Sequence, residues 1–150
     1  PHLVLNAVLA RLALYVADND PAWQAEVEST IEMAETTGDP PIESTVLHQF
    51  AIYHFAHGDK DVGMELLKRR AAGLRHVGDP EIYLNAIFNL VDEAKKAGLE
   101  DKAVDVVREV WAERATLPEG VVHDIVELSE ETFDHTGLRD EWERMNAQLD

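Results

Sequence analysis

The chain has 150 residues, 45% of them hydrophobic, with only 8 glycines and 6 prolines; this is enough apolar side chain for a core of its own and excludes a disordered segment. Thirty acidic against 13 basic residues leave a formal net charge of −17, which repels the phosphate backbone of nucleic acid and an anionic membrane surface alike. Cysteine is absent, so disulfides, thiolate metal sites and cysteine nucleophiles are excluded, and a cytoplasmic location is expected.

Apolar spacings of three and four residues run through the chain, and no stretch alternates with the period of two that a half-buried strand requires. The spacing predicts eight helices and no sheet, over 2–17, 21–36, 42–57, 60–77, 80–96, 100–115, 119–135 and 138–149. The first, from His2 to Tyr15 and beyond, is apolar nearly all the way round. It is too short and too interrupted to span a bilayer, and it lacks the basic start of a signal peptide. A helix apolar on every side is expected to be covered on every side. Because the sequence opens at Pro1 without a methionine, the expected cover is a preceding repeat of a longer protein or, failing that, a second copy in a homodimer.

The joints between helices are of two kinds. Asp18-Asn19-Asp20-Pro21, Gly58-Asp59-Lys60-Asp61, Gly98-Leu99-Glu100-Asp101 and Gly137-Leu138-Arg139-Asp140 each offer a residue tolerant of positive φ to end one helix, then acidic groups to cap the next. Gly38-Asp39-Pro40-Pro41, Gly78-Asp79-Pro80 and Leu117-Pro118-Glu119 combine a stop with a proline at the first helical position, where its missing N–H costs nothing. Both Gly-Asp-Pro runs and the intervening glycines, Gly58 and Gly98, recur at a distance of 40 residues. The chain is therefore expected to form one helical-repeat domain, 1–150, of four antiparallel hairpins at 1–37, 40–77, 80–116 and 118–150. The last helix reads as an end piece, with Leu138, Trp142, Met145 and Leu149 on one stripe and Glu141, Arg144 and Gln148 away from it.

The run Ala97-Gly98-Leu99-Glu100-Asp101-Lys102-Ala103-Val104-Asp105-Val106-Val107 resembles the tetratricopeptide family in its form of about forty residues per repeat, as in regulator and signalling-ATPase arrays. It keeps the glycine, the acidic pair and, five residues after the glycine, a small alanine, Ala103. Gly63 holds the alanine position in the second repeat and Trp142 in the fourth. The resemblance implies a right-handed α-α superhelix whose first helices line a concave groove, with a bound segment or neighbouring domain as the usual occupant.

The fifth predicted helix divides by angle, with Tyr83, Ala86, Ile87, Leu90, Val91 and Ala94 on one face and Asn85, Phe88, Asn89 and Asp92 on the other. Asparagines suit the backbone of an extended peptide, and an exposed phenylalanine can anchor one. Shifting by one repeat gives Thr45, His48, Gln49 and Ile52 on the third helix and Asp124, Glu127, Leu128 and Glu131 on the seventh. These stripes are the expected partner-binding surface, and their acidic end suits a basic peptide. The basic cluster Lys68, Arg69, Arg70, Arg75 and His76 is expected on a solvated face, paired with nearby acids.

Catalytic chemistry finds no footing. His54 and His57 stand three apart near Asp59, but a third metal ligand is missing from the motif, and the pair is expected to be solvated at a hairpin end. Glu131 and His135 form an ordinary helical pair. No phosphate loop or nucleophile elbow occurs. The sequence thus predicts a non-catalytic scaffold for a protein or peptide, with no cofactor and no metal. A small-ligand sensor segment of a regulator, and a spacer or engineered scaffold without any ligand, are the alternatives.

Overall fold

The computed structural model describes residues 2–18 and 20–149; the expected turn residue Asn19, and Pro1 and Asp150, lie outside them. The described residues are all helical, without a strand: α1 His2–Ala17, α2 Ala22–Thr37, α3 Pro40–His57, α4 Lys60–Leu74, α5 Pro80–Ala97, α6 Glu100–Ala112, a 3-10 turn Arg114–Thr116, α7 Glu119–Leu128, α8 Glu130–His135 and α9 Arg139–Asn146. Among them no helix is long and apolar enough to cross a membrane. The chain divides into two compact units, 1–70 and 71–150, with the division inside α4.

The joints act largely as their residue types require. Asp39 and Asp79 are extended N-caps followed by Pro40 and Pro80; their carboxylates accept from Ile42 N at 3.4 Å and Glu81 N at 3.0 Å. Gly38, Gly78, Gly98 and Gly137 all hold positive φ, between 64° and 95°, where a side chain would be strained. The acidic residues after Gly98 and Gly137 do not cap by hydrogen bonding, because Leu99 and Leu138 occupy the cap positions. They act from the first turn, on the helix dipole.

Gly58 departs from the expectation. Its φ is −131°, outside the left-handed region, so conformational freedom is not what the position needs. Space is. A Cβ built there falls 2.7 Å from Trp23 Cη2 and 3.0 Å from His54 Nδ1.

In the first unit α2 packs against α1 and α3, and the Tyr53 hydroxyl of α3 donates to the Leu9 carbonyl of α1 at 3.4 Å. Gly63 of α4 lets that helix approach α3 so closely that a Cβ would meet the Ala51 carbonyl and the Phe55 ring at 3.2 Å. Within the described residues α1 is covered on one side only. Val8 and Leu12 are buried, whereas Leu3 is 86%, Leu14 67% and Val4 55% exposed.

In the second unit α5 packs on α6 and α7, α6 also on α7 and α8, and α9 closes against α7 and α8. All six residues assigned to the inner face of α5 are buried, and Ala103 is fully so. The helix expected over 119–135 is broken at Ser129. There the Val126 carbonyl accepts from the Ser129 hydroxyl at 2.8 Å and from Trp142 Nε1 at 2.7 Å, so the oxygen is engaged by side chains at the point where the ladder lapses. The same bond gives the buried indole its partner and draws α9 onto α7. α4 and α6 end earlier than their apolar spacing suggests, at Leu74 and Ala112.

Replacing Gly58 by alanine is expected to destabilise the chain by about 1–3 kcal/mol, as overpacking against Trp23. Gly73→Ala, whose Cβ would enter open space, should be neutral or stabilising. Chemical denaturation of the two variants and the parent checks both.

Candidate functional site

The stripe predicted on α5 faces outward. Phe88 is 52% exposed, Asn85 is exposed, and Asn89 and Asp92 are half-buried. Ile82, which the angular division passed over, adds a second exposed apolar group one turn before Asn85. The inner face of this helix is complete without Phe88, so nothing in the packing of α5 itself requires an aromatic residue there.

On α7, which packs directly on α5, Asp124 and Glu127 are exposed, and each has an oxygen 4.0 Å from His123 Nδ1. Ligand atoms of His123, Asp124 and Glu127 lie within 4.8 Å of one another. All three are exposed, so they are the described residues best placed to meet a cation, on an open surface with nothing to exclude water. Leu128 is half-buried, and Glu131 lies on α8 rather than on the same helix.

Two lysines temper the acidity of this surface. Lys96 holds Asp92 at 2.8 Å, and Lys95 reaches from α5 to Glu131 at 2.6 Å. The Lys95 bond holds the Glu131 carboxyl below its usual range and raises the Lys95 ammonium above its own. Asp124 and Glu127 stand beside the His123 ring instead. Lys95 and Lys96 were visible in the sequence at the end of α5, but their partners belong to different helical turns and a different helix.

The stripe on α3 belongs to the first unit. Thr45 and Gln49 are exposed, His48 is half-buried, and Ile52 is 37% exposed. The basic residues predicted as one cluster are spread among separate partners: Lys68 with Glu65 at 3.7 Å, Arg69 with Glu35, and Arg75 with Glu113. Arg70 donates through Nε to the Ser44 hydroxyl at 2.9 Å, and burial lowers its pKa. Arg75 and His76 lie beyond the end of α4.

The solvated histidine pair is corrected at His54, which is buried at 7% exposure. Its ring lies 4.9 Å from that of Trp23, tilted by 55°, and Nδ1 has no hydrogen-bond partner among the described residues. His57 turns instead toward Tyr53, 6.2 Å between ring centres. The two imidazoles thus face different aromatic neighbours. Glu131 and His135 remain near each other at 3.7 Å, but His135 lies closer to Glu100, at 3.2 Å.

Comparison of the chain with protein-family models, curated proteins and solved structures finds no match. The functional reading therefore rests on the geometry of these surfaces.

Burial pushes the His54 imidazole below its ordinary 6.5, and the carboxylates of Asp59 and Glu28 oppose this only in part. A group easier to protonate unfolded than folded contributes stability that is complete above its unfolded value and is lost as pH falls below it. The chain should lose stability as pH drops below about 6.5, and His54→Gln should lose less over the same interval. Denaturation of both proteins across that range, followed by tryptophan fluorescence, measures the difference.

Proposed function

We propose that the chain is a non-catalytic interaction module of the tetratricopeptide-like kind, and that its second unit binds an extended peptide along the outward side of α5. The single observation that carries this reading is Phe88, 52% exposed on a helix whose other face is filled. An aromatic side chain held on a rigid helix contributes contact area at little cost in conformational entropy, which suits it to be an anchor.

The neighbours of Phe88 supply the rest. Asn85 and Asn89 carry both donors and acceptors, which an extended peptide backbone needs once its own N–H and C=O groups leave water. Asp124 and Glu127 on the adjoining helix favour a basic flank in the peptide, by attraction at the rim rather than by buried ion pairs. His48, Gln49 and Ile52 form a stripe of similar make-up on the first unit, read in the same way. The net charge of −17 makes association with a cationic partner faster at low salt.

The test is selection of binders from a randomised peptide library, followed by affinity measurement against variants. Phe88→Ala should weaken the selected peptides about thirtyfold, the scale of one anchor residue. Asn85→Ala and Asn89→Ala should act more weakly, and raising the salt should slow association. Unchanged affinity in a folded Phe88→Ala protein removes this face of α5 from the account.

A further inference from the structure

A cleft of about 220 Å³ opens in the first unit between the N-terminal turns of α1, the C-terminal half of α2 and the start of α3. Val4 and Leu5, Met33 and Ala34, and Ile42 and Val46 supply its apolar walls, a pair from each helix. The remaining lining residues are Thr30, Thr37 and Thr45. Their hydroxyls donate to carbonyls of their own helices, those of Glu26, Ala34 and Pro41, at 2.8, 2.6 and 2.9 Å. Among the described residues no ionisable side chain lines the cleft, in a protein of which 29% of the residues are charged.

We propose that this cleft is a binding site for one small, uncharged, apolar molecule, an aromatic or short aliphatic group of benzene size or somewhat larger. The volume sets the size, since a cavity of about 150 Å³ with apolar walls takes up benzene. The walls set the chemistry. A charged ligand would shed its hydration without a counter-charge to meet it, and the threonine hydroxyl protons are already committed.

The same features argue against the other occupants. An extended peptide brings backbone C=O groups that need donors, and the lining has none to offer them, its threonine hydroxyl protons being bonded within their own helices. A second copy of the chain brings its own charge of −17 against that of the first, which opposes self-association. A small neutral molecule meets neither obstacle. This site is independent of the proposal for α5, and the two stand or fall separately.

The decisive experiment titrates the whole chain with toluene, and with benzoate as a charged probe of similar shape, following the melting temperature and the methyl resonances of Val4, Ile42 and Val46. Toluene at tenfold excess over its Kd should raise the melting temperature by about 4 to 5 °C and shift those methyl signals, while benzoate should do neither. Thr45→Leu, a change at an exposed rim position, should abolish the toluene response while leaving the helical content intact. Ala34→Leu, which fills the cleft from its floor, provides a second variant should the first fail to fold. Equal responses to benzoate, or a toluene response that survives both substitutions, would overturn the proposal. So would a concentration-dependent dimer by light scattering that Thr45→Leu dissociates, or binding of a neutral leucine–glutamine helical peptide in place of toluene.

Discussion

The outward surface of this protein depends on where its helices are made to begin. Asp39 and Asp79 accept hydrogen bonds from the first turns of α3 and α5, and the prolines that follow fix the backbone at the first helical position. A helix advances by about 100° per residue, so once α5 has begun, its spacing sorts the side chains into two faces and the apolar one turns to the core. With the start fixed, α5 places Tyr83, Ala86, Ile87, Leu90, Val91 and Ala94 inside and leaves Phe88 outside. The exposure of that aromatic ring is a consequence of the cap and the angular spacing together.

Much of this was legible in the sequence because it is local. Helix starts, left-handed glycines and the two faces of α5 are each decided within a few residues, by caps, chirality and periodicity. Gly58 shows the limit. It lies in the same register as Gly98, yet its role comes from Trp23, a residue 35 positions earlier that occupies the space of its missing side chain. The interruption at Ser129 is of the same kind, since Trp142 draws on the Val126 carbonyl from another helix. The indole that buries His54 is likewise distant in sequence, so a position near a hairpin end gives no sign of the burial.

The candidate sites divide along the same line. The stripe on α5 was readable from angle alone, but its charge was not, because Lys95 and Lys96 neutralise Glu131 and Asp92 through contacts that depend on side-chain reach. The cleft of the first unit had no signature beyond an unusually apolar first helix. Val4 and Met33, which line it, stand on different helices; three helices had to converge before they became one concave surface. The two surfaces differ in chemistry as well as in place, one polar with an aromatic anchor and an acidic flank, the other apolar and without available donors.

Because the chain has no cysteine, single cysteines introduced in turn at positions 85 to 90 can report the orientation of α5 by their rate of reaction with a soluble thiol reagent. Cysteines at Asn85 and Phe88 should react at nearly the rate of an unfolded peptide. Those at Ala86, Ile87 and Leu90, which are at most 1% exposed, should react only through opening of the structure, at least a hundredfold more slowly for an opening free energy of about 3 kcal/mol or more. Comparable rates at Ile87 and Phe88 would contradict the fixed orientation from which the functional reading of this helix is drawn.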